Sequence, residues 1–432
     1  MNKADIIITN GKILTVDKEM NYYDKGFLAI SGSDITFIGR DDELPKWTAE
    51  KIIDAEGGIV MPGLVNTHCH APMTILRGYA DDYPLMDWLN NYIWPVEREF
   101  TNKETVKLGT ELAVLEMIKS GTTTFNDMYF FEDEVAKVCK SAGMRAVLGE
   151  GLMDLVTVSG EMNLELLEKY KGDELITAAV VNHAPYTCSA ELMSKSRKLS
   201  DVYNVPYHIH LSETKKEFDD ILKDKGLSPV GYLESIGALN DKTVAVHSVH
   251  LTDDDLEIYK RNGVGVAHNP ESNLKLASGV ARIPEMMKMG IKVGIGTDGC
   301  ASNNNLDMFE EISTAAKLHK TISDDPTVMK AEDVVRIATL GGAEVLSLSD
   351  KIGSIEIGKK ADIIIIDIDK PHLTPMYNPY SHLVYSINGG DVRDTIINGK
   401  LVMENRVVKT LDEKRILNEI NQLADKIKKF KK

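Results

Sequence analysis

Between residues 59 and about 345, short apolar runs alternate along the chain with stretches of helical periodicity. This alternation is typical of repeated strand–helix units around a parallel sheet, an α/β fold. Eight candidate strands follow one another in this region: GIVMPGLVNTH, GTTTFND, RAVLGEGLMD, ITAAVVNHAPY, PYHIHLSE, TVAVHSVH, GVGVAHNP and KVGIGTDG. Eight such units predict a (β/α)8 barrel of the TIM type, which usually needs about 250 residues.

A doubly wound open sheet is the alternative interpretation of the same alternation. Folds of that kind that bind nucleotides usually carry a Gly-x-Gly-x-x-Gly turn or a Gly-x-x-x-x-Gly-Lys-Ser/Thr loop. No turn of the first kind follows an early strand, and no loop resembles the second. The barrel is therefore favoured.

The two ends of the chain have a different pattern. Residues 4–58 form short alternating runs separated by Gly, Asp and Asn, and similar runs return in GSIEIGKKADIIIIDID and VRDTIINGKLVMENRVV. We expect both ends to share one small β-sandwich, which divides the chain into residues 1–58, a barrel over 59–350, and residues 351–432. The final DEKRILNEINQLADKIKKFKK predicts an amphipathic helix with a solvated surface.

Composition restricts the partners and the location of the protein. The 66 acidic and 50 basic residues give a formal net charge of -16, which disfavours nucleic acid or an anionic membrane as a partner. The N-terminus has no secretory signal pattern, and no run reaches eighteen uninterrupted apolar residues. Four widely separated cysteines predict reduced thiols. We expect a cytoplasmic homo-oligomer that acts on a small molecule.

Polar side chains that can carry chemistry fall where the predicted strands end. In a barrel, the carboxyl ends of the strands build the active-site face. Strand by strand, these residues are His68 and His70, Asp127, Glu150 and Asp154, His183, His210 and Glu213, His247, His268 and Asn269, and Asp298. Eight of the eleven histidines lie in or beside the eight runs. This clustering predicts an active site at that face.

The histidines of the first strand indicate a metal site. His68 and His70 are one residue apart, and alternate residues of a strand point to the same side, so both imidazoles can bind one ion. A third nitrogen from His208 or His210, which alternation alone cannot distinguish, would extend the site. The carboxylate of Asp298 would complete a zinc-type set with an open position for water.

Two further residues have the chemistry to serve that water. Glu213 lies three residues past His210 and can accept a proton from the water, then return it as a general acid. His247 can stabilise developing negative charge or hold the water, and Asp298 can orient it. We interpret Ser302 and the asparagines that follow it as turn and cap residues.

Five motifs, in this order, resemble the amidohydrolase superfamily, and within it the mononuclear deaminases of 5-methylthioadenosine and S-adenosylhomocysteine: VNTHCHAPM, PYHIHLSET, VAVHSVH, VAHNPESNLKLASG and GIGTDGCASNNNLDMFEE. The resemblance implies a metal ion with the ligands His68, His70, His210 and Asp298. We expect one divalent ion, Zn²⁺ before Fe²⁺ or Mn²⁺, since such ligands accommodate several ions. It also implies that Glu213 is the proton shuttle and that His247 lies beside the activated water, and we expect Glu213 to contact the substrate as well.

The resemblance also implies a substrate and a reaction. Glu97, in NYIWPVEREF, matches a glutamate that holds ribose hydroxyls, and His183, in NHAPYTCS, matches a histidine that contacts the substrate. The implied activity is that of a hydrolase of C–N bonds in cyclic amidines. It would deaminate 5-methylthioadenosine, S-adenosylhomocysteine, 5'-deoxyadenosine or adenosine to the inosine analogue and ammonia, with catalysis by Glu213, His247 and Asp298.

One segment departs from that family pattern. An arginine is expected at the end of strand three and another shortly after it, but VLGEGLMDLVTVSGEMN has Glu150 and no arginine after Arg145. A glutamate there would repel the carboxylate of a homocysteine moiety and can instead accept hydrogen bonds from an amine or hydroxyl. We therefore expect deamination of 5'-deoxyadenosine, adenosine or 5-methylthioadenosine more than of S-adenosylhomocysteine.

Two alternatives stay open. The same metal site could deaminate guanine, a pterin or another heterocycle, or hydrolyse a triazine, in which case Glu97 would have no ribose to bind. A metal-free scaffold or binding protein is the non-enzymatic alternative, because barrels serve many functions. The complete set of ligands and the shuttle residue argue against it.

Overall fold

A computed structural model describes residues 2–154 and 161–430. Its strands are β1 (Asn2–Leu14), β2 (Tyr22–Ser31), β3 (Asp34–Arg40), β4 (Trp47–Asp54), β5 (Ile59–Pro62), β6 (Leu64–His70), β7 (Thr122–Tyr129), β8 (Arg145–Leu152), β9 (Ile176–Ala178), β10 (Val180–Asn182), β11 (Tyr207–Leu211), β12 (Thr243–His247), β13 (Gly265–His268), β14 (Lys292–Ile295), β15 (Asp298–Gly299), β16 (Ile363–Ile366), β17 (Val392–Ile397), β18 (Lys400–Glu404) and β19 (Val407–Val408).

The α-helices are α1 (Leu85–Trp88), α2 (Trp94–Phe100), α3 (Lys103–Ser120), α4 (Glu132–Ala142), α5 (Glu161–Lys169), α6 (Ala190–Tyr203), α7 (Lys215–Lys225), α8 (Pro229–Ser235), α9 (Asp253–Asn262), α10 (Pro270–Lys275), α11 (Ile283–Lys288), α12 (Met308–Ile322), α13 (Ala331–Ile337), α14 (Leu340–Val345), α15 (Pro379–Tyr385) and α16 (Glu413–Phe430). Short 3₁₀ turns lie at Asp41–Lys46, Ala71–Leu76, Pro371–Leu373 and Gly389–Asp391, and Leu89–Ile93 is a π-helical turn. Every helix within residues 2–154 and 161–430 is too short or too polar to span a lipid bilayer.

The predicted barrel is confirmed. Parallel pairs run from β6 through β7, β8, β10, β11, β12 and β13 to β14. The fourth predicted strand is divided into β9 and β10, and both pair with β8. The ring closes at β15, which follows β14 almost directly and pairs in parallel with β6 at Asp298 and Cys69. The carboxyl ends of all these strands therefore meet at one face.

The first predicted barrel strand is in fact two strands. β5 pairs with β1 and β16 of the other sheet, and only β6 enters the barrel. Gly63 separates them, and a Cβ added there would lie 2.1 Å from the side chain of Thr123. A side chain at this position would collide with β7, so glycine lets the chain cross between the two sheets.

The two chain ends come together, as predicted, and where we expected a β-sandwich their strands belong to one sheet. Strands β1–β5 and β16–β19 belong to it, and the antiparallel pair of β5 and β16 joins the N-terminal part to the C-terminal part. Its core is mostly isoleucine and includes Ile6, Ile8, Ile13, Ile30, Ile35, Ile53, Ile355, Ile363, Ile365 and Ile396. Each fully buried isoleucine contributes about 1.5–3 kcal/mol. The division into 1–58, 59–350 and 351–432 stays a prediction.

A buried ion pair fastens the terminal sheet to the barrel. Arg145 is the first residue of β8, and its Nε and Nη2 donate to the two carboxylate oxygens of Asp362 at 2.6 and 3.1 Å. The backbone N–H of Asn398 also donates to Asp362, at 2.7 Å. The pair lies at the amino end of β8, opposite the face where the predicted site residues gather.

The predicted C-terminal amphipathic helix is α16, and it is not simply a solvated surface element. Ile416, Leu423 and Ile427 are buried. Arg415 bonds Glu111 of α3 at 2.7 Å. The apolar stripe thus packs against the barrel, while the lysine-rich face stays in solvent.

Candidate active site and metal centre

Three barrel strands bring the predicted metal ligands together. His68 and His70 end β6, His210 lies near the end of β11, and Asp298 begins β15. Asp298 Oδ1 lies 3.3 Å from His68 Nε2 and 3.2 Å from His70 Nε2. His210 Nε2 lies 3.3 Å from His68 Nε2. The four side chains therefore point their ligand atoms at one small volume.

Backbone carbonyls fix the orientation of two of these rings. His70 Nδ1 lies 2.6 Å from the carbonyl oxygen of Met128, and His210 Nδ1 lies 2.9 Å from that of His183. A carbonyl only accepts, so Nδ1 carries the hydrogen in both rings, and a neutral ring then presents the lone pair of Nε2 to the cluster. Nitrogen lone pairs that converge beside a carboxylate are the donor set of a divalent metal ion, so these residues fit one.

The structure separates the roles of His208 and His210. His208 is buried one pleat deeper in the barrel, where its Nε2 lies 3.1 Å from His68 Nδ1. It contacts the side of His68 that faces away from Asp298. His210 therefore belongs to the cluster, and His208 supports the ring of His68 from behind.

Two serines hold the carboxylate of Asp298. Ser272 Oγ and Ser302 Oγ donate to Asp298 Oδ2 at 2.6 and 2.9 Å, and the N–H of Gly299 donates to Oδ1 at 2.8 Å. Burial alone would raise the pKa of Asp298, but hydrogen bonds donated by His68 and His70, when their Nε2 atoms carry hydrogens, hold it well below its usual range. The carboxylate is therefore ionised. Ser302 does more than shape a turn, and nothing in the sequence pattern singled out Ser272.

Glu213 and His247 lie side by side next to the cluster. Glu213 Oε2 is 3.8 Å from His247 Nε2, and Ser278 Oγ is 3.4 Å from Glu213 Oε1. Burial raises the pKa of Glu213, and the nearby His247 opposes that rise. Asn273 Oδ1 lies 2.8 Å from His247 Nδ1. With that oxygen as acceptor, Nδ1 carries the hydrogen and Nε2 is free to accept one.

His247 also borders the metal-binding volume itself. The potential ligand atoms of His68, His247 and Asp298 lie within 4.8 Å of one another, as do those of His68, His70 and His210. The two groups share His68, so the proposed shuttle pair and the proposed ligands form one continuous site.

The two predicted substrate residues lie at the rim of this site. Glu97, on α2, accepts a 2.6 Å hydrogen bond from the hydroxyl of Tyr129, and burial raises its pKa. The ring of Tyr129 lies 6.4 Å from that of His70. His183 bonds Thr187 through Nδ1 at 2.8 Å, its ring lies 5.1 Å from that of His210, and burial lowers its pKa to about 4. Tyr129 is a site residue that sequence reasoning missed.

Glu150 caps a helix instead of offering the free acceptor that we expected. Its Oε1 accepts from the N–H of Phe131 at 2.9 Å, and its Oε2 accepts from that of Glu132 at 3.0 Å. Phe131 has a left-handed backbone (φ 58°) and provides no side-chain cap for α4. The carboxylate from the neighbouring strand thus satisfies the helix N-terminus. Part of the departing segment, residues 155–160, lies outside the described residues.

Comparisons with known proteins agree with this geometry. The amidohydrolase family model matches residues 59–402. The 5-methylthioadenosine/S-adenosylhomocysteine deaminase of Syntrophobacter fumaroxidans is 46% identical over 99% of both chains. The 5'-deoxyadenosine deaminase of Methanocaldococcus jannaschii is 48% identical and covers 92% of this chain and 96% of its own.

A solved structure extends the agreement to three dimensions. An adenosine deaminase from Xanthomonas campestris with bound zinc superposes with a TM-score of 0.97 at 37% identity, covering 99% of both chains. The amidohydrolase family is metal-dependent, in accord with the His/Asp cluster found here. The family resemblance drawn from the five motifs is thus confirmed, and the chain belongs to the amidohydrolase family.

Proposed function

We propose that this protein is a metal-dependent aminohydrolase that deaminates adenine nucleosides. The observation that carries the proposal is the cluster in which three histidines and an aspartate adjoin the pair of Glu213 and His247. Full-length relatives named as deaminases of 5-methylthioadenosine/S-adenosylhomocysteine and of 5'-deoxyadenosine support the same reaction class.

The proposed ligands of the ion are His68, His70, His210 and Asp298. Imidazole and carboxylate groups accommodate Zn²⁺, Fe²⁺ and Mn²⁺, and the zinc bound in the Xanthomonas campestris adenosine deaminase favours Zn²⁺. When bound, such an ion supplies a Lewis acid that makes water deprotonate near neutral pH.

Two side chains then deprotonate and orient the attacking water. Glu213 accepts a proton from it at a carboxylate oxygen, and its raised pKa suits the later transfer of a proton to the departing amino group. His247 accepts a hydrogen bond from the water at Nε2, because its Nδ1 is held by Asn273. The water oxygen adds to C6 of the purine, one of the two water hydrogens ends on N1 and the other on the departing amino group, the C6–N bond breaks, and ammonia leaves with the inosine analogue as product.

Glu97 and His183 are the proposed substrate contacts. Glu97 keeps one oxygen unengaged by Tyr129, and two carboxylate oxygens match the two hydroxyls of a ribose. His183 lies beside His210 at the mouth of the site. We infer a small nucleoside as the partner. The homo-oligomer, the cytoplasmic location, and the lack of nucleic-acid or membrane partners stay predictions.

The 5' group of the substrate is proposed to be small or uncharged. No arginine occurs between Arg145 and Arg197 to pair a homocysteine carboxylate. Glu150, at the end of β8, is engaged with the N-terminus of α4 and offers no positive charge for that carboxylate. Both features favour 5'-deoxyadenosine, adenosine or 5-methylthioadenosine over S-adenosylhomocysteine.

A substrate panel tests the proposal. Zinc-loaded protein is assayed for ammonia release from adenosine, 5'-deoxyadenosine, 5-methylthioadenosine, S-adenosylhomocysteine and guanine. We expect turnover of the nucleosides, least with S-adenosylhomocysteine, and none with guanine. Glu213→Gln should abolish turnover while the bound metal stays near the wild-type amount. Turnover of guanine alone, or no turnover by fully loaded protein, would contradict the proposal.

A further inference from the structure

A buried carboxyl group lies directly behind the proposed proton shuttle. Glu217, in the first turn of α7, is 6% exposed. One of its oxygens accepts from the N–H of Ser212 and the other from the N–H of Glu213, both at 2.8 Å. Thr214 already caps the helix by accepting from the N–H of Glu217 at 3.1 Å. The carboxyl therefore reaches back past the cap to the turn that carries Glu213.

That turn has an unusual backbone. Ser212 has φ 54°, in the left-handed region that non-glycine residues rarely occupy. Its carbonyl accepts from the N–H groups of Val249 and His250, both at 3.0 Å. The Ser212 residue thus connects the segment after β11 to the segment after β12, which follows His247. Such strain costs about 1–3 kcal/mol and persists only where surrounding contacts hold it.

Among the described residues, few contacts fix the direction of the Glu213 side chain. Its contacts with His247 and Ser278 are long, at 3.8 and 3.4 Å. The direction of its carboxylate is therefore set mainly by its own backbone. Burial of Glu217 without a cation is unfavourable, and hydrogen bonds from the two N–H groups of this backbone offset part of that cost.

We propose that Glu217 is a positioning residue that locks the Ser212–Glu213 turn and so aims the Glu213 carboxylate at the reacting water. The inference rests on the proposed role of Glu213. A reacting group displaced by about 1 Å can lose about 100-fold in rate, so the lock acts on kcat rather than on the affinity for substrate or metal.

Glu217→Gln is the principal test, because it keeps the size of the side chain but turns one acceptor into an N–H donor facing an N–H. With the best nucleoside of the panel, we expect kcat to fall about 10- to 100-fold, with KM and zinc content near wild-type values. Hydrogen exchange at the amides of Ser212 and Glu213 should become faster. Glu217→Asp keeps the acceptors on a shorter stem and should give a smaller loss of kcat.

The matched control is Asp255→Asn. Asp255 lies in the first turn of α9, is buried, and accepts from the N–H of Thr252 at 2.9 Å. It is likewise a buried first-turn carboxylate, one barrel unit later, but it accepts from the N–H of the helix cap residue itself, in a turn that carries none of the proposed site residues. We expect Asp255→Asn to lower stability but leave kcat unchanged.

Each outcome decides one question. Unchanged kcat in both Glu217 variants, or an equal loss in Asp255→Asn, would overturn the positioning role. A wild-type protein that deaminates none of the nucleosides would instead overturn the proposed function. Even then, the proposed role of Glu217 could be tested separately: an unchanged rate of hydrogen exchange at the amides of Ser212 and Glu213 in Glu217→Gln would refute it.

Discussion

The two serines that hold Asp298 allow a prediction of how much zinc affinity is lost when either serine is replaced. Ser272 and Ser302 both donate to Asp298 Oδ2, at 2.6 and 2.9 Å, and both are buried. Ser272→Ala or Ser302→Ala would each remove one donor while the N–H of Gly299 continues to serve Oδ1. The aspartate would keep its place in the fold but lose part of its orientation.

The magnitude follows from the charge on the acceptor. A hydrogen bond to an ionised group contributes about 1.5–3 kcal/mol, and about 1.4 kcal/mol corresponds to a tenfold change in affinity. Each single variant should therefore bind Zn²⁺ about 10- to 100-fold more weakly, the range typical for partners of metal ligands. Because both hydroxyls serve one oxygen, the effects in the double variant should not simply add.

Competition between the protein and a chelator of known zinc affinity, at fixed pH, measures this difference. Ser278→Ala is the matched control, because Ser278 is a buried serine whose hydroxyl faces Glu213 instead of a proposed ligand. It should leave zinc affinity unchanged. If Ser272→Ala and Ser302→Ala bind zinc as tightly as the wild type, Asp298 is not oriented in the way its contacts indicate.

Four further predictions concern single residues. Asp362→Ala would leave the buried Arg145 without its carboxylate partner. It should lower the free energy of unfolding by about 3–5 kcal/mol in a urea titration, with normal kcat in the folded fraction. Tyr129→Phe would release Glu97 and should raise KM for nucleosides by about tenfold, more than it changes kcat; an unaltered KM would separate the tyrosine from substrate binding. Burial raises the pKa of Glu213, and only the ionised carboxylate can accept the proton. We therefore expect kcat/KM to be maximal above the pKa of Glu213 and to fall as the pH is lowered through it. A pH–rate profile whose acid limb has a pKa at or below about 4.3, the usual value for glutamate, would contradict this. Glu150→Ala should destabilise the fold by about 1–2 kcal/mol through the lost helix cap and leave kcat intact; a large loss of kcat would place Glu150 at the substrate.

The placement of the site could be predicted because the barrel imposes it. His68 lies near the end of β6 and Asp298 begins β15, the short parallel neighbour of β6 that follows β14, and the carboxyl ends of barrel strands share one face. Alternation along β11 could not separate His208 from His210, because both point inward. The deciding quantity is depth in the barrel, which depends on how the strands are staggered.

The hydrogen bonds that support the site residues could not be predicted from sequence patterns, for a different reason. Ser272, Tyr129 and Glu217 act through hydrogen bonds whose partners lie on other turns or elements, and their residue types are common in loops and helices. Glu150 shows the reverse case, in which a residue at a strand end serves a helix terminus. The first barrel strand was wrongly joined to β5 because GIVMPGLVNTH is apolar throughout, and only the crowding at Gly63 shows where the chain changes sheets.

The pairing of β5 with β16 also sets an order of events during synthesis. Ile59–Pro62 leaves the ribosome long before Ile363–Ile366, its antiparallel neighbour. At about 5–20 residues per second, the roughly 300 intervening residues take about 15–60 s to make. Throughout that interval, β5 has an apolar edge with unpaired N–H and C=O groups, which is a template for association with other chains. A nascent chain stalled after the barrel would therefore be prone to aggregate through its N-terminal strands, even with every proposed metal ligand already translated.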